Sequence, residues 1–441
     1  MGVRSRVAGA LRVDGFRWIL RNRTFQKMFS GRVITDFGDS LYYIGAMWLV
    51  WDLTQNPFYV GLAGALVNVS RLFTFLYGPL IDVIEVRKLL VSTQLINGLG
   101  MLIVPLAAGF DVLSVWLILL LIPILQLVNE IVYPAQDSVL PRIVEEEELP
   151  RANSLFSTTL GGVDAGANAI AGVLISVIGA VSLFLLNAGT FAIALLLFFT
   201  LTIPSRTNTD QGSGQSATEE KNTASRKKKI KQYGTDLREG ISYIRGTVLL
   251  PMMAGLMISN IGIMAGTTIM PTFADSLSGP TAYGVLMGAL GAGTLLGTAV
   301  SFLVEDYSLG TVATVGMMTA GVLWIGSIAA PGLGVTAALL FLSMVPVGIF
   351  EVLFVSTIQA GVEDALLGRV MSLLRTFSGG LLPVGSLLGG IGAAQIGVLP
   401  VMYTAGGSLV LLGLYFGLSS EIRSLPAVTN ANQELFDSTA K

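Results

Sequence analysis

Apolar residues in this chain come in unbroken runs rather than in the alternation of a strand or the stripe of a surface helix. Twelve runs can be marked, at 29–51, 58–81, 89–110, 112–134, 155–178 and 181–202, then 249–273, 283–304, 309–330, 335–361, 370–396 and 400–418. Each is about as long as a helix that crosses a bilayer, roughly 17–25 residues. The pattern therefore predicts an all-α membrane protein of twelve transmembrane helices, six on either side of a polar gap. Residues 1–28 precede them as a basic N-terminal segment, with Phe16, Trp18 and Phe25 among Arg12, Arg17, Arg21, Arg23 and Lys27; this mixture suits an interfacial helix on an anionic inner leaflet. The gap at 205–232 is rich in Ser, Thr, Asn and Gln and closes on Arg226-Lys227-Lys228-Lys229-Ile230-Lys231, a solvated linker held at the same leaflet. Leu237, Ile241 and Ile244 then fall at helical spacing, predicting an amphipathic helix along the membrane before the seventh run. The resulting domains are 1–28, a first bundle at 29–204, a linker at 205–245, a second bundle at 246–420 and a tail at 421–441.

The two bundles resemble one another. Displaced by 218 positions, residues 138–189 align without gaps on 356–407 with fourteen identities in 52. Among these are Arg151 with Arg369, Gly161 and Gly162 with Gly379 and Gly380, Gly172 with Gly390, and Gly179 with Gly397. A shorter echo pairs Tyr59–Leu66 with Tyr283–Leu290. Repetition at half the chain length predicts two copies of one large unit.

Composition agrees and narrows the chemistry. Of the 441 residues, 53% are hydrophobic and 12% charged, against roughly 25% charged in soluble proteins. Cysteine and histidine are absent, which removes disulfides, thiolate nucleophiles, histidine proton relays and most zinc sites. No cofactor or metal is implied, and with no Gly-x-x-x-x-Gly-Lys-Ser/Thr loop a nucleotide-driven pump is excluded too. An enzyme and a nucleic-acid partner are not expected. With both termini inside, six outer turns at 52–58, 110–112, 178–182, 273–282, 330–335 and 396–400 hold no Lys or Arg, as the positive-inside rule requires. On this assignment, Arg71 and Arg375 are the two cations left within spans, and Trp48, Trp51, Trp116 and Trp324 form an outer aromatic belt.

The loop after the second run, Gly78-Pro79-Leu80-Ile81-Asp82-Val83-Ile84-Glu85-Val86-Arg87-Lys88, resembles the inner-loop signature of the major facilitator superfamily. The resemblance implies that fold and a gating charge network at Gly78, Asp82, Arg87 and Lys88; Val83 and Val86 stand where the pattern is basic, so the network is thinner. The stretches Gly31–Ser40, Pro134–Pro141, Leu149–Leu155 and Asp236–Arg245 are similar to the branch containing macrolide efflux pumps and siderophore exporters, drug:proton antiporters by reputation of the family. One departure concerns direction: related exporters carry Gly-Pro in the fifth span, where this chain reads Gly166-Ala167.

Ionisable groups inside a span cost several kcal/mol unless paired or wetted, so they are functional candidates. They are Asp36, Asp39, Arg71, Glu130 and Asp164 in the first half and Glu351 and Arg375 in the second. Arg71 cannot release its proton and is expected to pair with Asp36, Asp39 or Asp164; Glu351 and Arg375 could pair with each other, and Glu130 could snorkel to the inner surface. A carboxylate exchanging between arginine and a proton would couple transport to a proton gradient. Asn68, Phe73, Tyr77, Asn129, Asn168, Asn260, Met264 and Gln359 are the candidate substrate walls, polar or aromatic groups in apolar runs that suit an amphipathic solute. The expected function is a secondary transporter, a monomer working by alternating access, in a prokaryotic cytoplasmic membrane: proton-coupled export of a hydrophobic or amphipathic small molecule. Uptake or facilitated diffusion, and a non-transporting receptor or scaffold on the same fold, are the alternatives.

Overall fold

The computed structural model describes residues 22–70, 72–73, 84–202, 242–431 and 435, apart from the side chains of Asp364, Ala365 and Arg375. The described secondary structure is helical throughout. In the first half run α1 (Arg23–Thr54), α2 (Pro57–Val69), α3 (Val86–Gly109), α4 (Val115–Glu130), α5 (Val132–Ile143), α6 (Leu149–Ile178) and α7 (Ala180–Phe199). The second half holds α8 (Leu249–Thr268), α9 (Met270–Asp275), α10 (Pro280–Val300), α11 (Leu309–Ile328), α12 (Leu333–Gly361), α13 (Asp364–Gly379), α14 (Leu382–Ile396), α15 (Val398–Leu418) and the single turn α16 (Ser420–Arg423).

Ten described helical stretches are long and apolar enough to span a bilayer, against the twelve expected. The two differences have separate causes. The helix α1 has the length, at 32 residues, but Arg32, Asp36, Asp39 and Asp52 dilute its apolar character; α2 is described only as far as Val69, with Ser70, Leu72 and Phe73 beyond it. The N-cap of α1 is Asn22, whose side chain accepts from the Phe25 amide, so residues 23–28 belong to α1 rather than to a separate surface segment. Of the helix expected at 237–244 only the end is described, and Ile244 there is fully buried. Many large apolar side chains face outward, among them Leu99, Leu120, Leu196, Ile258, Val322 and Leu411. In water such a surface would drive aggregation; in a bilayer it is the lipid contact. The aromatic belt does not form as expected. Trp116 is exposed, but Trp48, Trp51 and Trp324 are buried, with the Trp324 indole donating to the Met402 carbonyl at 3.1 Å.

The repeat has a structural counterpart. In the first half α1 packs on α6 and α7, and α3 on α7; in the second α8 packs on α14 and α15, and α11 on α15. Two further pairings, α2 with α14 and α6 with α10, join the halves. At each of them two glycines meet. A Cβ added to Gly61 would lie 2.5 Å from the Gly390 Cα, and one added to Gly172 would lie 2.7 Å from the Gly284 Cα. Gly172 and Gly390 are an aligned pair of the repeat, so one duplicated glycine serves both crossings. Small residues allow backbones this close, which is how helices gain contact where lipid offers no hydrophobic drive.

The six described residues with left-handed backbone fall one in each predicted outer turn: Gln55 (φ 48°), Asp111 (φ 56°), Gly179 (φ 81°), Gly279 (φ 71°), Gly332 (φ 81°) and Gly397 (φ 95°). Gly179 and Gly397 are again repeat partners. Both glycine crossings lie towards these turns, and Trp48 stacks on Tyr283 there with ring centroids 6.3 Å apart. At the opposite face, the rings of Phe25, Phe29 and Phe156 cluster within the first half. Arg87 and Lys27 donate to the Phe199 and Thr200 carbonyls, cations at the negative end of α7. The tail folds back at this face too: Ile422 and Leu425 are buried, and the Leu309 amide at the start of α11 donates to the Pro426 carbonyl at 3.0 Å.

The α6–α10 approach can be tested chemically, because the chain has no cysteine. A Cβ at Gly291 lies 3.2 Å from the Ala165 Cβ, near the roughly 3.5–4.5 Å spanned in a disulfide. The double variant Ala165→Cys, Gly291→Cys is expected to form an intramolecular disulfide on mild oxidation, seen as a mobility shift that reverts on reduction. A pair that stays reduced contradicts the crossing.

Candidate functional site

Asp36, Asp39 and Asp164 of the first half gather at α1, together with Arg32. Arg32 is only 3% exposed and lies 3.4 Å from Asp36 one turn on, with its guanidinium 3.7 Å from the centre of the Tyr133 ring. The sequence assignment left Arg71 and Arg375 as the span cations and passed over Arg32, which is corrected here: α1 carries a buried arginine. Its signal was available, since Arg32 falls inside the run at 29–51, four residues before an aspartate. Arg71 itself, together with Tyr77, Gly78 and Asp82, lies outside the described residues, so the pairing expected for it has no described counterpart.

Asp36 and Asp39 leave α1 towards different partners. Asp39 receives two amides, from Asn129 Nδ2 on α4 at 2.8 Å and Asn187 Nδ2 on α7 at 3.4 Å. Asn187 is fixed in turn by the Thr190 hydroxyl, 2.9 Å from its Oδ1. The spacing leaves no room on α1: a Cβ at Gly38 would lie 2.1 Å from Thr190 Oγ1 and 2.2 Å from Asn187 Oδ1. Asp164 of α6 is tied to α1 by the Ser40 hydroxyl, which donates to its Oδ1 at 2.7 Å, and it also receives Asn168 Nδ2 at 3.4 Å. Three carboxylates from two helices thus share one polar seam through α1, α4, α6 and α7. Asn187 was missed in the sequence because a lone asparagine in an apolar run resembles a packing residue. Two further amides, Gln94 and Asn97 of α3, are each 1% exposed, and none of their four polar side-chain atoms has a partner among the described residues.

The remaining candidates scatter. Glu130 does not reach the surface: it is 9% exposed, part-way along a helical stretch running from Val115 to Ile143, and accepts from Gln126 Nε2 at 3.3 Å. Its expected snorkelling is thus replaced by an internal contact. Asn68 is buried and donates to the Gly64 carbonyl of its own helix at 2.9 Å, a packing role; Phe73 is exposed. Met264 packs against α14, where a Cβ at Gly385 would lie 2.9 Å from its own. Gln359 is exposed near the end of α12. Arg87 caps α7, and Lys88 pairs with Glu85 at 3.0 Å on the surface, so neither joins the carboxylate seam.

Asn260 and Glu351 instead line a cavity of about 440 Å³ within the second half, walled by α8, α11, α12, α13 and α15. Asn260 Nδ2 donates to the Ser378 carbonyl across it at 3.3 Å. The expected Glu351–Arg375 pair falls partly outside the described side chains; no described cation bridges to Glu351. Among the described residues Asp39, Asp164 and Glu351 thus lie in separate settings, a carboxylate seam in the first half and a mostly apolar cavity with Glu351 in the second.

Replacing Asn187 by the similarly sized Leu removes a donor from the half-buried Asp39 carboxylate, while the Thr190 hydroxyl keeps its bond to the residue-187 carbonyl at 2.8 Å. A loss of about 1–3 kcal/mol is expected, read as a lower thermal midpoint of the purified protein. Thr190→Val, which leaves both donors to Asp39 in place, is expected to cost less.

This architecture has known counterparts. A family model described as transmembrane secretion effector matches residues 18–439. One relative, the uncharacterized MFS-type transporter YfiS of Bacillus subtilis (strain 168), is 22% identical over 401 residues, covering 88% of this chain and 91% of its own. Among solved structures, the nucleoside transporter NupG superposes with a TM-score of 0.66 at 14% identity, covering 89% of this chain and 98% of its own. A bacterial homologue of the iron transporter ferroportin, solved in an inward-facing state, gives 0.65 at 14% identity over the same shares. At such identity the structures speak for the fold alone, and the fold is that of the major facilitators. With a family match running from residue 18 to residue 439, the chain belongs to the transmembrane secretion effectors of the major facilitator superfamily, multi-pass membrane transporters and not enzymes.

Proposed function

We propose that the protein exports hydrophobic or amphipathic small molecules in exchange for protons, by alternating access of two six-helix bundles, with twelve spans and both termini on the cytoplasmic side. The observation that carries the proposal is the setting of Asp39. Its described partners are amides, and an amide can turn over to present either its N–H₂ or its carbonyl. The Asn129 and Asn187 cage can therefore satisfy Asp39 both as a carboxylate and as a carboxylic acid. Arg32 is different: a guanidinium only donates and stays charged, so it favours Asp36 as the carboxylate and offers no acceptor to its acid proton. Asp39 is read as the proton carrier, and Arg32–Asp36 as the fixed pair that holds α1 in register.

The side to which this form opens is read from where the halves touch. The glycine crossings and the Trp48–Tyr283 stack seal the ends that carry the tight turns, the proposed outer side. The carboxylate seam and the second-half cavity lie below that seal, a form open to the cytoplasm. In the opposite form the crossings would part and Asp39 would exchange with the outer side.

The test uses proteoliposomes with an imposed pH gradient and a lipophilic dye. Gradient-driven dye movement is expected in the parent protein and a loss of at least tenfold in Asp39→Asn, while dye-for-dye exchange without a gradient continues. Parent movement that ignores the gradient would make the protein a facilitator. Gradient-driven movement undiminished in Asp39→Asn would remove the carrier role from this residue.

A further inference from the structure

The second-half cavity differs chemically from the carboxylate seam, and its lining indicates what it binds. Its volume of about 440 Å³ falls within the roughly 300–1,000 Å³ of pockets that take drug-sized ligands. One wall is aromatic: Phe350 and Phe354 of α12 stack with centroids 5.4 Å apart at 13°. Met317 and Met371 supply polarisable thioethers, which adapt to irregular apolar shapes. Against this background stands one carboxylate, Glu351, between the two phenylalanines in sequence and bridged by no described cation. Asn260 uses its N–H₂ on the Ser378 carbonyl, which leaves its own carbonyl as an acceptor. Ser259, 2% exposed, has a hydroxyl without a partner among the described residues.

The electrostatic sum of this lining is one-sided. A carboxylate, an amide carbonyl and the electron-rich faces of aromatic rings all favour positive charge, and none of the described lining side chains offers a cation to an anion. A sugar or other polyol would find too few hydrogen-bonding groups on walls of Phe, Met, Leu and Val. A dication would be left with one charge unmatched in a mostly apolar space.

We infer that this cavity is a binding site for monocationic amphipathic solutes, with the charge set at Glu351 and the apolar body laid against Phe350, Phe354 and Met371. The inference rests on the transporter reading above and deepens it by naming the substrate class. The proton-carrying aspartate and the cation-binding glutamate then sit in opposite halves of the molecule, so solute and proton need not compete for one carboxylate.

The experiment measures equilibrium binding to the full chain in lipid nanodiscs, with two probes of nearly the same shape and opposite charge, tetraphenylphosphonium and tetraphenylborate. Saturable binding of the phosphonium is expected in the parent protein, weakened at least tenfold in Glu351→Gln and largely regained in Glu351→Asp; the borate should bind at least tenfold more weakly than the phosphonium. Equal binding of the two probes to the parent protein overturns the inference without any variant. So does an absence of saturable phosphonium binding, or an unchanged affinity in Glu351→Gln. Because binding needs no gradient, the two readings fail separately. Phosphonium that binds but is never moved would sink the exporter reading and leave the cavity assigned. Gradient-driven dye export with no role for Glu351 would do the reverse.

Discussion

Close approach of backbones at two helix crossings is the constraint on which the rest of the structure depends. Inside a bilayer, helices gain little from hiding apolar surface from one another, because lipid is equally apolar; what holds them is fit. Where Gly61 meets Gly390 and Gly172 meets Gly284, fit means the absence of a side chain, since a Cβ at any of the four would sit within 2.7 Å of opposing backbone. These contacts join the halves towards the end that carries the outer turns.

Within the first half, α1 carries the electrostatic organisation. Little more than two turns of one helix place Arg32, Asp36, Asp39 and Ser40 against four other elements, and the cost of keeping charge there is met by specific partners: a ring face and a carboxylate for Arg32, two amides for Asp39, a hydroxyl and an amide for Asp164. The polarity that makes α1 useful also lowers its apolar character below that of the ten stretches that pass on length and composition. A helix bearing the chemistry of a transporter is, for the same reason, the helix hardest to recognise as a span.

Much of this was legible in the sequence, unevenly. The apolar runs located the helices because a bilayer imposes length and composition directly. The repeat located the crossings, although not their meaning: Gly172 and Gly390 align, but only packing shows that each faces a glycine of the other half. Turn positions were legible from the lack of Lys and Arg, and the left-handed residues at Gln55, Asp111 and Gly179 fall where that lack was noted. Side-chain partners were the weak point. Asp36 and Asp39, three residues apart, are only about 60° apart around a helix, yet one turns to Arg32 and the other to amides of α4 and α7. The substrate walls chosen by polarity dispersed, because a lone polar residue in an apolar run records a helix contact as readily as a ligand contact. The cavity around Glu351 was invisible for the opposite reason: Phe350, Phe354, Met317 and Met371 are ordinary span residues until their helices are assembled.

The docked tail carries a consequence for biogenesis. The start of α11 is completed by groups that the ribosome makes more than a hundred residues later: Pro426 accepts the Leu309 amide, and the Ile422 and Arg423 backbone closes over Gly310. Insertion can deliver α11 to the membrane long before these groups exist, so the second half must wait in an unfinished state while α12 to α15 are threaded in. Its final closure is a post-insertion event, and quality control that probes unfinished membrane proteins has a defined place to look.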